Sequence, residues 1–524
     1  MDARRPGVTV TPLQAQDPVS SAAVAGEQTY GAILKSTSLI GAASVITVAL
    51  SVVRTKAMAL LLGPTGVGLL GMYTSIADLT QSLAGLGIQN SGVRQIAEAA
   101  GSGDPVRIAR TAVVLKHVSV ALGAFGAALL IAFSVPISRL TFGSSERAPA
   151  IALLSAAVFF RLVSAGQGAL IQGMRRVSDM AWLTVTGGFL GVAISVPIIY
   201  AFGNAGVVPS LVAVAAASLL TSWWYSRRVP VAAAAPLTAV ARGEVSTLLT
   251  LGLVFMASAF LTTGAGYAVR LIVLRALGIE AAGLYQSAWA LGGLYVGVIL
   301  QAMGADFYPR LTAVASNNPE CNRLVNEQAY VSLLLAGPGV IATLTFAPLV
   351  LALFYSPEFA AAVGLLRWIC LGMLLRVIAW PMGFIVVAKG ARATFFWTEV
   401  AATAVHVSLA WWLVNQIGLN GSGAAFFGLY VWHGVLIYLV VRRLSGFRWS
   451  AANIRVGLFF LPMTGLVFVS FLAVPLGVAV GIGSLSVVLS TVYAARALLG
   501  CVPADRVPHM IRYPLERLRL MRSA

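Results

Sequence analysis

Charge and sulfur are both scarce in this chain. Only 10% of its 524 residues are Asp, Glu, Lys or Arg, far below the roughly 25% of a soluble domain. There are 4 histidines and 3 cysteines, and Cys321, Cys370 and Cys501 are odd in number and far apart. This excludes a disulfide framework and a zinc cluster. The sequence also has no P-loop, no dinucleotide fingerprint and no long polar stretch between apolar runs that would hold a catalytic domain. Acidic residues number 17 against 35 Lys and Arg, leaving a net charge of +18. The basic residues fall at the ends of apolar runs rather than in one patch, so a nucleic-acid partner is not expected.

What fills the chain is hydrocarbon. Hydrophobic residues make up 59% of it, and apolar runs of about 20 residues succeed one another from Tyr30 onward, each able to cross ~30 Å of bilayer. None alternates like a barrel strand, so the spans are helices. About fourteen are expected, at roughly 36–61, 66–90, 111–134, 149–172, 178–201, 206–226, 247–274, 280–304, 328–353, 362–387, 395–417, 421–441, 455–474 and 477–497. Alternate loops carry Arg107, Arg110 and Lys116, then Arg175 and Arg176, Arg227, Arg228 and Arg242, Lys389 and Arg392, and Arg442, Arg443 and Arg448. The intervening loops hold little beyond Arg139 and Arg147. Under the positive-inside rule both termini lie in the cytoplasm. Arg4 and Arg5 precede no apolar core, so a cleavable signal peptide is not expected.

The pattern repeats. Leu62-Gly63 and Gly68-Leu69 recur as Leu277-Gly278 and Gly283-Leu284, and the offset between them is the one that separates mid-span Arg161 from mid-span Arg376. Arg94 with Arg310, Arg175 with Arg392, and Phe142 and Glu146 with Phe354 and Glu358 follow at nearly the same offset, with the small drift that loop insertions produce. Six spans per copy enter from the same side, which predicts parallel repeats. The expected organisation is a disordered cytoplasmic tail (1–29), a six-helix bundle (30–228), a cytoplasmic linker with Pro230 and Pro236 (229–245), a second six-helix bundle (246–443), two further spans (444–500) and a basic tail (501–524) bearing Arg506, Arg512, Arg517, Arg519 and Arg522.

An arginine in hydrocarbon costs roughly 3 kcal/mol even on insertion scales, so it faces a wet cavity or a partner. Arg161 and Arg376 therefore either line a chamber for something negative or lock helices together, with Glu399 available to Arg376. Arg54 and Lys56 on the first span and Arg270 on its repeat mate either snorkel to headgroups or join that chamber. Asp78, Glu399 and His406 are the candidates for ion coupling. Glu399 and His406 are two helical turns apart and share a face, while Asp78 is at the depth of Arg54. His117 and His433, toward span ends, are read as bland. Trp223-Trp224 and Trp411-Trp412 are read as interfacial anchors, and Pro136, Pro197, Pro338 and Pro381 as bending points.

The stretch Arg54-Thr55-Lys56-Ala57, Leu62 to Leu69, Leu86-Gly87-Ile88 and Val93 to Glu98, with Phe307-Tyr308-Pro309-Arg310-Leu311 in the second half, resembles the polysaccharide translocases of the Wzx (O-antigen flippase) type. The likeness spans about residues 30 to 443. Their superfamily also holds multidrug extruders and lipid II flippases. The resemblance implies an all-α polytopic membrane protein with two pseudo-symmetric six-helix bundles in a MATE-like V, plus two C-terminal helices. It implies a transporter, not an enzyme, and no cofactor. It further implies transport of a polyprenyl-pyrophosphate-linked glycan from the inner to the outer leaflet of a bacterial inner membrane for surface polysaccharide synthesis. Membrane lipids, and a polysaccharide polymerase with its chain-length machinery, are the implied partners. A drug or cation antiporter would call for acidic cavity residues. A glycan polymerase would call for large outer loops.

Overall fold

The computed structural model describes residues 18–229 and 239–500. The tail arginines, Arg4, Arg5, Cys501, Pro230 and Pro236 lie outside the described residues. Among those described, every regular element is helical. The first half contains α1 (Pro18–Ala84), α2 (Ile88–Gly101), α3 (Pro105–Ala132), α4 (Ser134–Phe142), α5 (Ala148–Gly173), α6 (Val177–Phe202) and α7 (Val207–Ser226). The second contains α8 (Ala239–Leu277), α9 (Ile279–Ala302), α10 (Tyr308–Ala313), α11 (Asn318–Thr345), α12 (Ala347–Phe354), α13 (Val363–Ala388), α14 (Arg392–Ile417) and α15 (Leu419–Ser445), followed by α16 (Ala451–Ala473) and α17 (Leu476–Leu499).

Twelve of these stretches are long and apolar enough to cross a membrane, and two of them, Ala43–Ala84 and Val177–Ser226, run 42 and 50 residues. At a rise of about 1.5 Å per residue, each is roughly twice the length that one crossing needs. Each turns a corner partway. The fourteen expected spans are thus accommodated. Residues 18–29 are helical rather than disordered, because a proline at the helix start followed by Ala22, Ala23 and Ala25 favours a helix even among polar residues. α8 likewise begins at Ala239, inside the expected linker.

The corners reveal the duplication in backbone form. α1 is broken at Gly63 (φ 61°, ψ -173°), and α8 and α9 meet at its repeat equivalent Gly278 (φ 90°, ψ 176°), in the same glycine-only conformation. Gly203 between α6 and α7 (φ 53°, ψ -133°) is matched by Gly418 between α14 and α15 (φ 63°, ψ -142°), a pair separated by the same offset. Helix starts correspond too. Asp104 caps α3 by accepting from the Val106 amide at 2.9 Å, and Asn317 caps α11 by accepting from the Glu320 amide at 3.2 Å. Packing follows suit: α5 lies against α3 and α7, as α13 lies against α11 and α15.

Loops expected on one side of the membrane gather at one end of the molecule. There the two corners of the repeat pack on each other. A Cβ on Gly68 would strike the Ile279 carbonyl, and one on Gly283 the Pro64 carbonyl. Lys56 on α1 reaches across to the C-terminal end of α12, donating to Ala352 O (2.6 Å) and to the carbonyl of Tyr355, the residue just past it. Tyr267 Oη and Thr141 Oγ1 are 2.6 Å apart, and Arg275 Nη2 donates to Arg139 O at 3.4 Å. At this end the halves are sealed. At the opposite end α8 rests on the turn after α1, where a Cβ on Gly252 would strike Leu86 O.

The two extra helices are fastened to the second half through α11. Asn326 accepts from the Ser450 amide (2.8 Å) and donates to Arg448 O (3.0 Å), while Asn453 Nδ2 donates to Asn326 O (2.8 Å). Phe460 fills the notch at Gly337, and Arg367 on α13 lies 3.6 Å over the Phe471 ring.

Because the seal relies on bare glycine, Gly283→Val is expected to destabilise the closed arrangement by about 1–3 kcal/mol, the usual overpacking cost. Its thermal unfolding midpoint in detergent should fall. Gly297→Val on the same helix, with nothing within 4 Å of an added Cβ, should leave the midpoint unchanged.

Candidate functional site

Two cavities among the described residues each hold one of the repeat-equivalent arginines. The first encloses about 320 Å³ between the second arm of α1, α5, the start of α2 and α8. Its polar lining is Asp78, Gln81, Ser82, Gln89, Asn90 and Arg161, closed on the α8 side by Met256, Ala259 and Thr263. Arg161 Nη2 donates to Asp78 Oδ1 at 2.6 Å, with the two side chains 36% and 40% exposed. Arg161 thus both lines a cavity and carries its own counter-ion. The carboxylate that the sequence sets at the depth of Arg54 belongs to Arg161 instead.

The second cavity encloses about 380 Å³ and lies within the second half, among α8, α9, α13, α14 and α15. Arg376 enters it from α13, Glu399 and His406 from α14, and His433 from α15. The Arg376 guanidinium sits 4.7 Å over Trp380 and 6.0 Å from the Tyr430 ring. Among the described residues it forms no direct ion pair with Glu399, and its buried Nε has no hydrogen-bond partner. Stacking on an indole is the alternative to a carboxylate for a guanidinium away from water.

The repeat explains the difference. The position equivalent to Asp78 is Gly293, so Arg376 has no acid from the second span of its copy. The position equivalent to Glu399 is Thr184, so that acid has no counterpart beside Arg161. The cation is duplicated and the acid is not.

The remaining candidates lie elsewhere. Arg54 Nε donates to Ser195 Oγ at 3.2 Å, tying α1 to α6. Arg270 Nε donates to Gln286 Oε1 at 2.9 Å, tying α8 to α9 one turn from Gly266 on the wall of the second cavity. Lys56 bridges the halves at the sealed end. His117 bonds its own helix at Val113 O, 2.8 Å, but His433, read as bland from its place near a span end, lines the second cavity. Sequence reasoning also passes over Trp289 and Trp380. Their mid-span positions, away from the interfacial belts where tryptophan usually sits, are the available signal. Among the described residues no group of acidic, His and Cys side chains could hold a metal ion.

The described residues form a multi-pass helical chain built from two copies, with cavities that hold the repeat-equivalent arginines. Residues 57–364 match the family of polysaccharide biosynthesis proteins, and the chain belongs to that family. The lipid III flippases of Escherichia coli (strain K12) and Shigella flexneri are each 21% identical over 404 residues, 74% of this chain and 94% of theirs. Among solved structures, an inward-facing MATE-family multidrug transporter of the MOP superfamily is similar at a TM-score of 0.65 and 18% identity, over 76% of this chain and 94% of its own. The lipid II flippase MurJ in its inward closed conformation is similar at 0.62 and 13%, over 88% of this chain and 99% of its own. The chain shares its fold with these solved structures.

If the Arg161–Asp78 pair matters chiefly as a pair, Asp78→Ala, which strands a cation in the first cavity, should lower protein abundance in membranes more than the Asp78→Ala/Arg161→Ala double variant does. Quantitative immunoblotting of the two singles and the double completes the cycle.

Proposed function

We propose that this protein is a flippase that carries a polyprenyl-pyrophosphate-linked oligosaccharide across the bacterial inner membrane, for synthesis of a surface polysaccharide such as O-antigen or exopolysaccharide. The observation that carries the reading is Arg376, a stacked guanidinium without a paired carboxylate, lining a mid-span cavity in a chain of the polysaccharide biosynthesis family. The near full-length match to lipid III flippases supports the same class of cargo.

In this reading the sealed end faces outward and both termini are cytoplasmic, as the basic loops require. The headgroup enters from the cytoplasmic end and its lipid tail stays in the bilayer. Arg376 and Arg161 meet the phosphates through charge-assisted hydrogen bonds. Arg54, Lys56 and Arg270 extend the positive field toward the outer end. Parting of the glycine-packed corners and release of Lys56 from α12 then open the outer side. With the cytoplasm negative, each negative charge moving outward gains about 2.3 kcal/mol per 100 mV, and Asp78, Glu399 and His406 are left to couple the return of the empty carrier to an ion. The product would pass to a polymerase and its chain-length partner. A lipid II flippase is the second reading, favoured by one observation: MurJ covers 88% of this chain where the multidrug transporter covers 76%.

Deletion in the native bacterium, with extraction of lipid-linked intermediates, decides between them. Accumulation of a lipid-linked polysaccharide unit with loss of the surface polymer is expected; accumulation of lipid II would favour the second reading, and no accumulation would overturn both. In proteoliposomes Arg376→Ala should abolish translocation at unchanged membrane abundance. Arg376→Lys should retain only a minor fraction, because lysine keeps the charge but loses the planar fork and the stack. A separate expectation is that flipping accelerates as the inside-negative potential grows; a flat response would remove the electrical driving force.

A further inference from the structure

We propose that the foot of α6 and α7, at the end of the molecule away from the seal, is a binding site for the phosphodiester headgroup of an anionic membrane phospholipid. The inference stands apart from the flippase reading, since none of its residues lines either cavity.

The first observation is in the backbone. The turns α5–α6 and α13–α14 have the same hydrogen bonds: Arg175 N to Gln172 O, Arg176 N to Ile171 O and Val177 N to Arg175 O in one, and Gly390 N to Val387 O, Ala391 N to Val386 O and Arg392 N to Gly390 O in the other. The structural twin of Arg175 is therefore Gly390, two residues short of the Arg392 that the sequence offset pairs with it. Both are left-handed, at φ 54° and 66°. A side chain disfavours that region and glycine does not. The first half thus keeps an exposed arginine where its own copy uses glycine. The turn itself has no need of that side chain, and strain of this kind points to a role for it.

The second observation is what surrounds Arg175. Arg176 pairs with Asp179 Oδ2 at 2.6 Å and donates to Arg228 O, which draws the turn against the end of α7. Arg175, Arg227 and Arg228 are exposed there, and among the described residues none of them has an ion pair. The acids at hand are engaged: Asp179 by Arg176, and Glu98, on the α2 helix that packs against α5, by Arg94 at 2.8 Å. The Arg227 guanidinium lies 4.4 Å over Trp223, and that of Arg228 is 5.4 Å from the Trp224 ring and 5.0 Å from that of Tyr225. Stacking fixes the plane of a guanidinium and leaves the N–H groups on its edge for the oxygens of a phosphate. Trp182, Trp223 and Trp224 are 55%, 45% and 58% exposed. Indoles so exposed at a span end sit at headgroup level, which suits a lipid rather than a soluble phosphate. The twin dipeptide Arg442-Arg443 follows Tyr438-Leu439-Val440 in place of Trp223-Trp224-Tyr225, so the second half does not repeat the site.

The test is native mass spectrometry of the full-length protein in detergent, offered phosphatidylglycerol, phosphatidylcholine, polyprenyl pyrophosphate and glycerol phosphate in turn, with thermal unfolding alongside. Phosphatidylglycerol should be retained about tenfold better than phosphatidylcholine. Arg175→Gly should lose about fivefold of that affinity, the worth of one basic residue at an anionic surface. Its lipid-free unfolding midpoint should be unchanged or higher, because glycine suits the turn; an arginine with only a structural role would lower it. Arg175→Gly/Arg227→Gln/Arg228→Gln should lose the discrimination between the two phospholipids, whereas Arg442→Gln/Arg443→Gln should keep it. Should the triple variant fail to fold, Arg175→Gly still decides. Equal retention of the two phospholipids by the native protein, or equal loss in both sets of variants, overturns the site. Protection by glycerol phosphate equal to that by phosphatidylglycerol would make it a soluble-anion site, and loss of polyprenyl pyrophosphate alone from the triple variant would make it an entry point for cargo; either result overturns the phospholipid assignment.

Discussion

A guanidinium placed halfway through a bilayer must find water, an acid or an aromatic face, and much of this molecule is arranged around that requirement. Arg161 takes the acid, through Asp78. Arg376 takes the aromatic face, through Trp380. Arg367, a third arginine in the same long helix as Arg376, takes both an aromatic face and a carbonyl, resting on Phe471 and donating to Leu344 O at 3.3 Å. The first and the third hold together helices that would otherwise have only lipid-like contacts between them, whereas the Arg376 stack lies within α13. In hydrocarbon, where apolar burial gives helices little reason to associate, such polar ties and close glycine packing carry the architecture.

The glycines divide between two tasks. Gly63, Gly278, Gly203 and Gly418 turn the chain in conformations that a side chain would strain. Gly68 and Gly283 instead remove side chains so that the two copies of one corner touch backbone to backbone. The repeat unit therefore supplies its own contact surface: the same Leu-Gly signature that makes the corner also makes the surface against which its twin packs. Lys56 adds an asymmetric clasp, because its repeat equivalent, Leu271, has nothing to donate.

Much of the fold is legible in the sequence because its determinants are local. Span number follows from hydrophobic length, duplication from fixed offsets, and helix starts from Asp104-Pro105 and Asn317-Asn318-Pro319, where side chain and ring fix the first turn. The full run of the first helix is not, since the Ala-rich segment after Pro18 carries no apolar signal and reads as a disordered tail. The site is half legible. Depth of Arg54, Lys56, Arg270, Arg161 and Arg376 can be counted along a span, but direction cannot: a helix that is apolar on all sides gives no amphipathic clue to which face meets a neighbour. Hence Arg54 turns to Ser195 and Lys56 to α12, while Asp78 meets Arg161 from 83 residues away. Trp380 is hidden for the same reason, its neighbour Pro381 drawing attention as a kink while α13 runs on through it.

The acid's placement gives the two halves different work. In the first half, a carboxylate already occupies Arg161, so an incoming anion has to compete with Asp78 for the same guanidinium. In the second half, Arg376 is held in place by stacking on Trp380 and by Tyr430, and among the described residues it has no paired carboxylate for a ligand to displace. In the proposed flippase, an anionic headgroup would thus meet one guanidinium without a paired carboxylate and one that is already paired. Engagement of the occupied arginine would require Asp78 to move aside, and that exchange sits between the second arm of α1, α5 and α8. In that proposal, binding in one half and rearrangement at the junction would be linked by a single ion pair. A symmetric carrier with two free arginines would lack that link, because its empty state would hold two uncompensated charges in the membrane and nothing would change hands when cargo arrived.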